Sequence, residues 1–213
     1  METESGDMAF TIRLAQPDDA AFIAAIYRPI VESTPISFET DPPGAPEMAR
    51  RIEETLHFHP WLVGEHEGRV VGYAYAAGHR VRAAYRWSVD TSVYVDAAFR
   101  RRRVGLALYT SLFRILVAQG HFNAYAGIAL PNPASVAVHE SAGFRTVGIY
   151  RNVGYKLGQW HAVGWWQLEL QAGRTSPLPP VGIDVVRQEP SWQTLVEAGL
   201  SVVRINRMAP SAE

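Results

Sequence analysis

A strand pattern, an arginine-rich turn and a helix pattern follow one another between residues 88 and 120, and this succession constrains the fold more than any other segment. "SVDTSVYV" has the pattern of a strand. Four arginines in "FRRRR" come next, followed by a helix pattern that ends near Gly120 and carries the apolar stripe Val104, Leu108, Leu112 and Ile115. Another strand pattern, "NAYAGIAL", comes after it. The succession predicts an α/β domain in which helices pack on a mixed sheet.

The segments on either side extend this sheet. "FTIRLA" is predicted to be the first strand, and it precedes a helix that Pro29 ends or kinks. "ESTPISFETDPPGAP" is turn-rich and is predicted to be a loop that carries Phe38 and Glu39 outward. "WLVGEHEGRVVGYAYAA" has the pattern of a hairpin. Asn132 opens a short helix that ends at Gly143, and "FRTVGIYR" and "GWWQLEL" complete the sheet.

The 213 residues suffice for one sizeable core, since 47% of them are hydrophobic. "QAGRTSPLPP" resembles a linker, so we divide the chain into a domain at residues 1–170 and a C-terminal extension at residues 171–213. The extension is apolar enough to pack on the same domain or on a second subunit, and the sequence does not decide between these. No apolar run reaches membrane-spanning length and no signal-peptide plan is visible, so we expect a cytoplasmic protein without membrane contact.

The arginine run from Arg100 to Arg103 admits three interpretations: a solvated basic turn, a nucleic-acid patch or a cradle for a small anion. A net charge of -1 disfavours nucleic acid, because the whole molecule is not built to coat a polyanion. The free N–H groups and the dipole at a helix N-terminus attract an anion, and guanidinium groups pair with phosphate oxygens. On charge alone, a solvated turn and a pyrophosphate cradle are equally consistent with this run.

A second motif decides between them. "NPASVAVHESAGF" follows the next strand, and together with the arginine turn it resembles the GNAT superfamily of acetyl-CoA-dependent N-acetyltransferases. The family's phosphate loop, Gln/Arg-x-x-Gly-x-Gly/Ala, matches Arg100 to Gly105, and its later motif matches Asn132, Ser135, His139, Glu140, Gly143 and Phe144. The resemblance implies a GNAT fold, which is a mixed, mostly antiparallel central sheet flanked by helices with the phosphate loop between a central strand and a helix. It also implies acetyl-CoA as cosubstrate and no metal.

The resemblance implies a cofactor site formed by Val93, Val95, Arg100, Arg101, Arg102, Arg103, Val104, Gly105, Asn132 and Ser135. The strand around Val93 and Val95 is expected to diverge from its neighbour, which frees N–H groups for the pantetheine arm and the acetyl carbonyl. Arg103 stands where the family usually has glycine, so we expect its backbone to keep a conformation open to other residues. A register from Arg102 to Ala107 also fits the pattern, but the spacing from "VYV" favours the first.

Longer segments narrow the resemblance to the phosphinothricin and methionine sulfoximine acetyltransferases. They are "PIVESTPISFET", "PWLVGEHEGRVVGYAYA", "AYRWSVDTSVYVD" and "GYKLGQWHAVGWWQLEL", and they cover most of residues 10 to 170. This branch acetylates the α-amino group of small glutamate-like amino acids, and its members are typically homodimers. The resemblance therefore implies phosphinothricin, methionine sulfoximine or methionine sulfone as acceptor. Ala162 departs from the aspartate common in the branch, a change that bears on acceptor specificity.

Three residues are implied to be catalytic: Asp90, Tyr94 and His139. Asp90 occupies the position of the branch's base, a glutamate, and as the shorter residue it takes a proton from the amine directly or through water. Its alternative role is that of a structural aspartate. Strand alternation places Asp90, Ser92 and Tyr94 on one face. His139 either gives a proton to the leaving thiolate or packs beside the pantetheine arm, and both interpretations stay open.

A carboxylate-bearing acceptor calls for guanidinium groups. "GHRVRAAYRWS" supplies three arginines before the catalytic strand, and position in the branch favours Arg80 and Arg86 over Arg82. The predicted walls of the acceptor pocket are Phe38, Tyr85 and Trp160.

Two other functions stay open. One is acetyl transfer to another small amine or to a peptide N-terminus, although the three arginines favour a small anionic acceptor. The other is a non-catalytic acyl-CoA-binding module, in which Asp90 and Arg103 mark lost machinery. His57 and His59 have no third ligand at a suitable spacing, so the sequence predicts no metal site.

Overall fold

The computed structural model describes residues 10–173 and 175–205. The seven strands of its sheet are β1 Thr11–Leu14, β2 Trp61–His66, β3 Arg69–Gly78, β4 Ser88–Val95, β5 Asn123–Leu130, β6 Arg145–Lys156 and β7 Gln159–Glu169. The α-helices in this part of the chain are α1 Ala20–Ser33, α2 Ala45–Leu56, α3 Val104–Gln119, α4 Pro133–Ser141, α5 Ile183–Val186 and α6 Trp192–Glu197. No helix within the described residues combines the length and the apolarity that crossing a bilayer requires.

The strands lie in the order β1-β2-β3-β4-β5-β7-β6. Among these described strands only β4 and β5 run parallel, and the other neighbouring pairs are antiparallel. The predicted mixed, mostly antiparallel sheet flanked by helices is therefore confirmed. The hairpin between β2 and β3 is also present, and its two turn residues, Glu67 and Gly68, have the positive φ values of 54° and 73° that such a short loop requires.

Side-chain alternation along the strands builds a separate core on each face of the sheet. On one face, α3 presents the fully buried side chains of Leu108, Leu112 and Ile115 to β2, β3 and β4. On the other face, α1 and α2 cover Trp61 and Tyr73. Full burial of one such side chain stabilises the fold by about 1.5–3 kcal/mol, so both helix layers are firmly held against the sheet.

Helix α1 does not end at Pro29 but continues to Ser33. Proline has no N–H to donate to the carbonyl of Ala25, which normally weakens a helix at that point. Ile30 and Val31, which follow the proline, are nevertheless buried, and Val31 packs in the core that α1 and α2 cover. Burial of this face outweighs the missing hydrogen bond.

The C-terminal extension packs on helix α3 of its own chain. The Ser111 hydroxyl donates to the carbonyl oxygen of Val196 at 2.6 Å and accepts from the backbone N–H of Gly199 at 3.0 Å. Arg204 donates its backbone N–H to the carbonyl oxygen of Arg102 at 2.8 Å. The described part of the extension therefore braces both the helix and the arginine turn that precedes it.

Candidate active site

Strands β4 and β5 begin side by side and then diverge. Their register joins Ser88 to Asn123 and ends with Asp90 beside Tyr125, and no later pair joins these two described strands. A cleft opens beyond that point, and its lining includes Thr91, Ser92, Val93, Tyr94, Gly127, Ile128, Ala129, Asn132, Ser135 and His139. The divergence predicted around Val93 and Val95 is therefore present.

The backbone of β4 presents hydrogen-bonding groups to this cleft. Asp96 donates its N–H to the carbonyl oxygen of Val71 at 2.9 Å, and bonded pairs alternate along an antiparallel ladder. The N–H and C=O groups of Val93 and Val95 therefore point away from β3 and toward β5, which has already diverged. Backbone groups in such a position require a ligand or water, and the amides of a pantetheine arm are suitable partners.

The arginine turn connects β4 to the N-terminus of α3 at the open end of the cleft. Arg101 and Arg103 have φ values of 62° and 60°. The prediction that Arg103 keeps a conformation suited to other residues was wrong, because this left-handed region favours glycine. The conformation corresponds to the family's glycine position, which supports the register from Arg100 to Gly105 over the register from Arg102.

The turn and the helix behind it suit a pyrophosphate. None of the four arginines forms an ion pair with an acidic residue in the described part of the chain, and Arg100, Arg101 and Arg103 are exposed. Gly105, in the first turn of α3, lies close to β4, and a Cβ there would make an ordinary contact of 3.5 Å with a methyl group of Val93. The helix N-terminus contributes free N–H groups and a positive dipole end. These donors and the unpaired edge of β4 fit acetyl-CoA.

Helix α4 forms the far wall of the cleft. The Asn132 side chain caps this helix by accepting the Ser135 N–H at 3.1 Å. His139 is buried, and its Nδ1 donates to the carbonyl oxygen of Ser135 at 2.8 Å. Burial lowers the pKa of His139, so the ring is neutral and its Nε2 accepts from the Tyr109 hydroxyl at 2.9 Å. With both nitrogens engaged, this geometry favours the packing role of His139 over proton donation.

Asp90 lies where β4 and β5 make their last pairing, on the sheet face that α1 and α2 cover. Its Oδ1 is 2.7 Å from Nδ1 of His79, a residue that the sequence did not single out. Burial raises the pKa of Asp90, and the interaction with His79 opposes that shift. The guanidinium of Arg80 approaches Oδ2 to 3.9 Å. A carboxylate, an imidazole and a guanidinium therefore meet at the closed end of the cleft.

Of the other residues predicted to bind the acceptor, some lie near Asp90 and others lie on more distant surfaces. Arg80 lies 5.6 Å from the ring of Trp165, and the Tyr85 ring is 5.9 Å from His79. Arg86 stacks at 5.6 Å on the ring of Trp87, and Arg82 is exposed. The structure brings Arg80 to Asp90 and Tyr85 to its partner His79, but it gives no contact between Asp90 and either Arg82 or Arg86.

A cavity of about 170 Å³ lies farther along the same face. It is lined by Tyr27, Glu39, Met48, Arg51, Glu54, Thr55, Trp61, Tyr73, Tyr75 and Tyr94. Contrary to the sequence prediction, Glu39 turns toward this cavity, where it accepts from the Tyr27 hydroxyl at 2.9 Å and pairs with Arg51 at 2.8 Å. The Arg51 pair lowers the pKa of Glu39 and keeps it ionised. Tyr94 lines both the cavity and the cleft, so the two spaces adjoin.

Phe38 and Trp160 lie at the edge of this region. The Phe38 ring contacts the backbone at Gly154 and lies 6.3 Å from His161. Trp160 is 61% exposed and packs against Tyr155, on the opposite side of β7 from His161. Trp160 is therefore separated from the other predicted walls of the pocket. No group of three or more metal-binding side chains occurs among the residues that the structure describes.

Comparison with known proteins identifies the family. The family model for the acetyltransferase (GNAT) domain matches residues 12–165. The phosphinothricin N-acetyltransferase of Streptomyces viridochromogenes is 38% identical over 177 residues, which are 83% of this chain and 94% of that protein. The L-methionine sulfoximine/L-methionine sulfone acetyltransferase of Salmonella typhimurium is 34% identical over 75% of this chain and 94% of its own length.

A solved structure supports the same family assignment. The GNAT superfamily phosphinothricin acetyltransferase of Sinorhizobium meliloti in complex with AcCoA superposes with a TM-score of 0.77 at 34% identity, covering 82% of this chain and 96% of that one. The family match at residues 12–165 includes the divergent strands and the turn before α3, which are the parts that fit acetyl-CoA. The chain therefore belongs to the GNAT family of acetyl-CoA-dependent N-acetyltransferases, as the sequence resemblance predicted.

Proposed function

We propose that the protein transfers the acetyl group of acetyl-CoA to the α-amino group of a small glutamate-like amino acid. The observation that carries this proposal is the position of Asp90 at the closed end of the cofactor cleft, with Arg80 beside it. A carboxylate there can accept the proton of an amine, and a guanidinium can hold the carboxylate of an amino acid. The names of the relatives point to phosphinothricin, methionine sulfoximine and methionine sulfone as acceptors.

Cofactor binding is assigned to the residues that the resemblance implied. Acetyl-CoA supplies an acetyl group activated as a thioester. We propose that Arg100 to Arg103 and the first N–H groups of α3, at Val104 and Gly105, hold its pyrophosphate. The backbone of Val93 and Val95 holds the pantetheine arm and polarises the acetyl carbonyl. Asn132 and Ser135 shape the opposite wall through the cap of α4.

Proton removal is assigned to Asp90, which acts directly or through a group that is hydrogen-bonded to it. An amino acid arrives largely as an ammonium, and the nitrogen attacks only after it has lost a proton. Tyr94 stays protonated, since burial raises its pKa well above the usual value, and its ring forms a wall between the cleft and the aromatic cavity. Ionised Asp90 is required, so activity is expected to fall as the pH is lowered.

Acceptor recognition is assigned first to Arg80, which lies beside Asp90, and to Tyr85, which lies beside His79. Arg82 and Arg86 are proposed to reach the acceptor only from the exposed rim, and Phe38 to close the side-chain pocket. Trp160, which lies on the other side of β7, is the weakest of the proposed wall residues.

The test is CoA release from acetyl-CoA with a panel of acceptors. The panel contains phosphinothricin, methionine sulfoximine, methionine sulfone, glutamate and a peptide with an N-terminal alanine. Asp90→Ala is expected to lower kcat by about 10²–10⁴-fold. Asp41→Ala, an exposed aspartate outside the site, is the matched control and should retain full activity. Binding of acetyl-CoA without turnover on any acceptor would indicate a binding module, and turnover only with the peptide would exclude the amino-acid assignment.

We also propose that the protein is a homodimer. Strand β6 is an edge strand of the sheet, and its exposed apolar side chains include Val147, Ile149, Tyr150, Val153 and Tyr155, each at least 49% exposed. Exposed apolar surface on an edge strand favours association. Light scattering at micromolar concentration is the test, and a monomer there contradicts the proposal. A cytoplasmic location and the absence of nucleic-acid and membrane partners stay predictions.

A further inference from the structure

His79 and Asp90 form a hydrogen-bonded pair on two neighbouring strands. His79 follows the last residue of β3 and donates its backbone N–H to the carbonyl oxygen of Ser88. Its Nδ1 lies 2.7 Å from Oδ1 of Asp90, a strong contact between an imidazole and a carboxylate. The inference that follows depends on the proposed function and specifies how the proton leaves the acceptor.

The hydrogen bond determines the roles of the two ring nitrogens. An ionised carboxylate only accepts hydrogen bonds, so Nδ1 of His79 carries the proton and Nε2 of the neutral ring keeps a free lone pair. No residue in the described part of the chain forms a hydrogen bond with Nε2. The side chain of His79 is only 12% exposed, whereas that of Asp90 is 37% exposed. The imidazole therefore has an unused basic atom that solvent can reach, on a ring that is otherwise largely buried.

Neighbouring side chains hold the ring in one orientation. Tyr125 of β5 stacks on it at 4.3 Å with an interplanar angle of 19°, and Trp165 of β7 meets it edge-on at 6.2 Å. Tyr85 approaches from the segment before β4 at 5.9 Å. Besides the carboxylate of Asp90, the charged group that faces the pair is the guanidinium of Arg80, which is 3.9 Å from the second oxygen of Asp90. Such packing on three sides pre-organises the ring.

The position of the pair relative to the cleft matches a catalytic base. Asp90 and Tyr125 are the last residues at which β4 and β5 pair, and the cleft assigned to the pantetheine arm begins directly after them. The ring that stacks on Tyr125 therefore lies at the closed end of that cleft, on the acceptor side of the sheet. Arg80, which is assigned to the acceptor carboxylate, is the next residue in the chain.

We propose that Nε2 of His79 is the atom that deprotonates the acceptor and that Asp90 is a positioning residue, which holds the tautomer and stabilises the imidazolium. His79 first takes one proton from the acceptor ammonium. The amine nitrogen then forms a bond to the acetyl carbon as the carbon–sulfur bond breaks, and the second proton passes from nitrogen to the departing sulfur. His79 returns its proton to solvent, so the products are the N-acetyl amino acid and CoA.

The experiment is the dependence of kcat/KM on pH for the wild type, His79→Gln and Asp90→Asn, with binding of acetyl-CoA measured in parallel. A base that has taken up a proton can accept no other, so the wild type should lose activity on the acidic side of its pH profile. His79→Gln should lower kcat/KM by about 10²–10³-fold at neutral pH and remove this acidic limb. The affinity for acetyl-CoA should stay within about twofold, which also shows that the variant is folded.

The two remaining variants separate a catalytic from a structural role. Asp90→Asn keeps an acceptor for Nδ1 but loses the charge, so it should move the acidic limb to lower pH and reduce the rate less than His79→Gln does. His57→Gln, an exposed histidine away from the site, is the matched control and should behave as the wild type. An active wild type with an equally active His79→Gln variant overturns the assignment of His79 alone. A wild type that turns over no acceptor overturns the proposed function, and this inference with it.

Discussion

Substitution of Gly199 by alanine is the sharpest test of how the C-terminal extension is attached. Gly199 has φ −84° and ψ −11°, a conformation that alanine adopts readily. From the backbone alone, the change should therefore be neutral or stabilise the fold by about 0.4–1 kcal/mol through the unfolded state. The contacts predict that the change destabilises the fold, because a Cβ at this position would lie 1.9 Å from the carbonyl oxygen of Ala107 in α3 and 2.6 Å from its carbonyl carbon.

The size of the effect follows from what must move. Real Cβ contacts are essentially never shorter than 3.0 Å, so the extension must shift away from α3 by about 1.1 Å, the difference between 3.0 and 1.9 Å. That shift breaks the bond from Gly199 to Ser111 and strains the one from Ser111 to Val196. Overpacking of this kind costs about 1–3 kcal/mol, and each lost buried hydrogen bond about 1 kcal/mol. We expect a destabilisation of about 3 kcal/mol.

Equilibrium unfolding in urea and thermal unfolding measure this difference. For a chain of this length, 3 kcal/mol corresponds to a fall in Tm of about 6–12 °C. Gly173→Ala is the matched control, since nothing lies within 4 Å of a Cβ at that position, and it should change the free energy of unfolding by less than about 0.5 kcal/mol. A Gly199→Ala variant as stable as the Gly173→Ala variant would show that the extension does not pack on α3 in solution.

Three further predictions concern other parts of the molecule. His121 is fully buried, and burial beside His59 lowers its pKa to about 4. The free energy of unfolding should therefore decline as the pH falls from 6.5 to 4, by up to about 1.4 kcal/mol per pH unit. His121→Phe should flatten this dependence in urea titrations at several pH values. Arg103→Gly should relieve about 1–2 kcal/mol of strain from the left-handed backbone, while the added entropy of the unfolded chain costs about 0.5–1 kcal/mol. Denaturant titrations should therefore show equal or higher stability, and the KM for acetyl-CoA should rise. A lower stability would contradict the presence of backbone strain at this residue. Nζ of Lys156 donates to the carbonyl oxygens of Val31 and Ser37 at 2.6 and 2.7 Å and so anchors the loop that carries Phe38. Lys156→Met should therefore lower the free energy of unfolding by about 2 kcal/mol and raise the acceptor KM. Unchanged acceptor kinetics would exclude that anchoring role.

Periodicity was sufficient to predict the central elements of the fold. The strand β4, the helix α3 and its end at Gly120 were all predicted from apolar spacing and one glycine, because these signals are local. The docking of the extension was not predictable in this way. It depends on Ser111, a small polar residue inside a helix stripe, and on Gly199, about ninety positions later, whose close approach is visible only when both backbones are in place.

The site was predictable to the extent that it resembles the family. The cleft between β4 and β5 and the turn before α3 lie where the motifs suggested, whereas the Glu39–Arg51 pair in the aromatic cavity was missed. Neither residue belongs to a motif: Glu39 lies in an irregular loop and Arg51 on the polar side of α2. A salt bridge between a loop and a helix leaves no periodic signal in the sequence, since its partners are set by how the loop folds back.

His79 is a different case, because the register of one hairpin determines its place. Strands β3 and β4 pair Ala77 with Asp90 and Gly78 with Val89, which places His79 diagonally across from Asp90 on the same face. A slip of one residue in this ladder would turn the imidazole to the opposite face, where α3 packs. The alternation of "YAYAAGH" against "SVDTSVYV" contains this information, but only after the register is known. The proposed base therefore arises from strand pairing and not from a sequence motif.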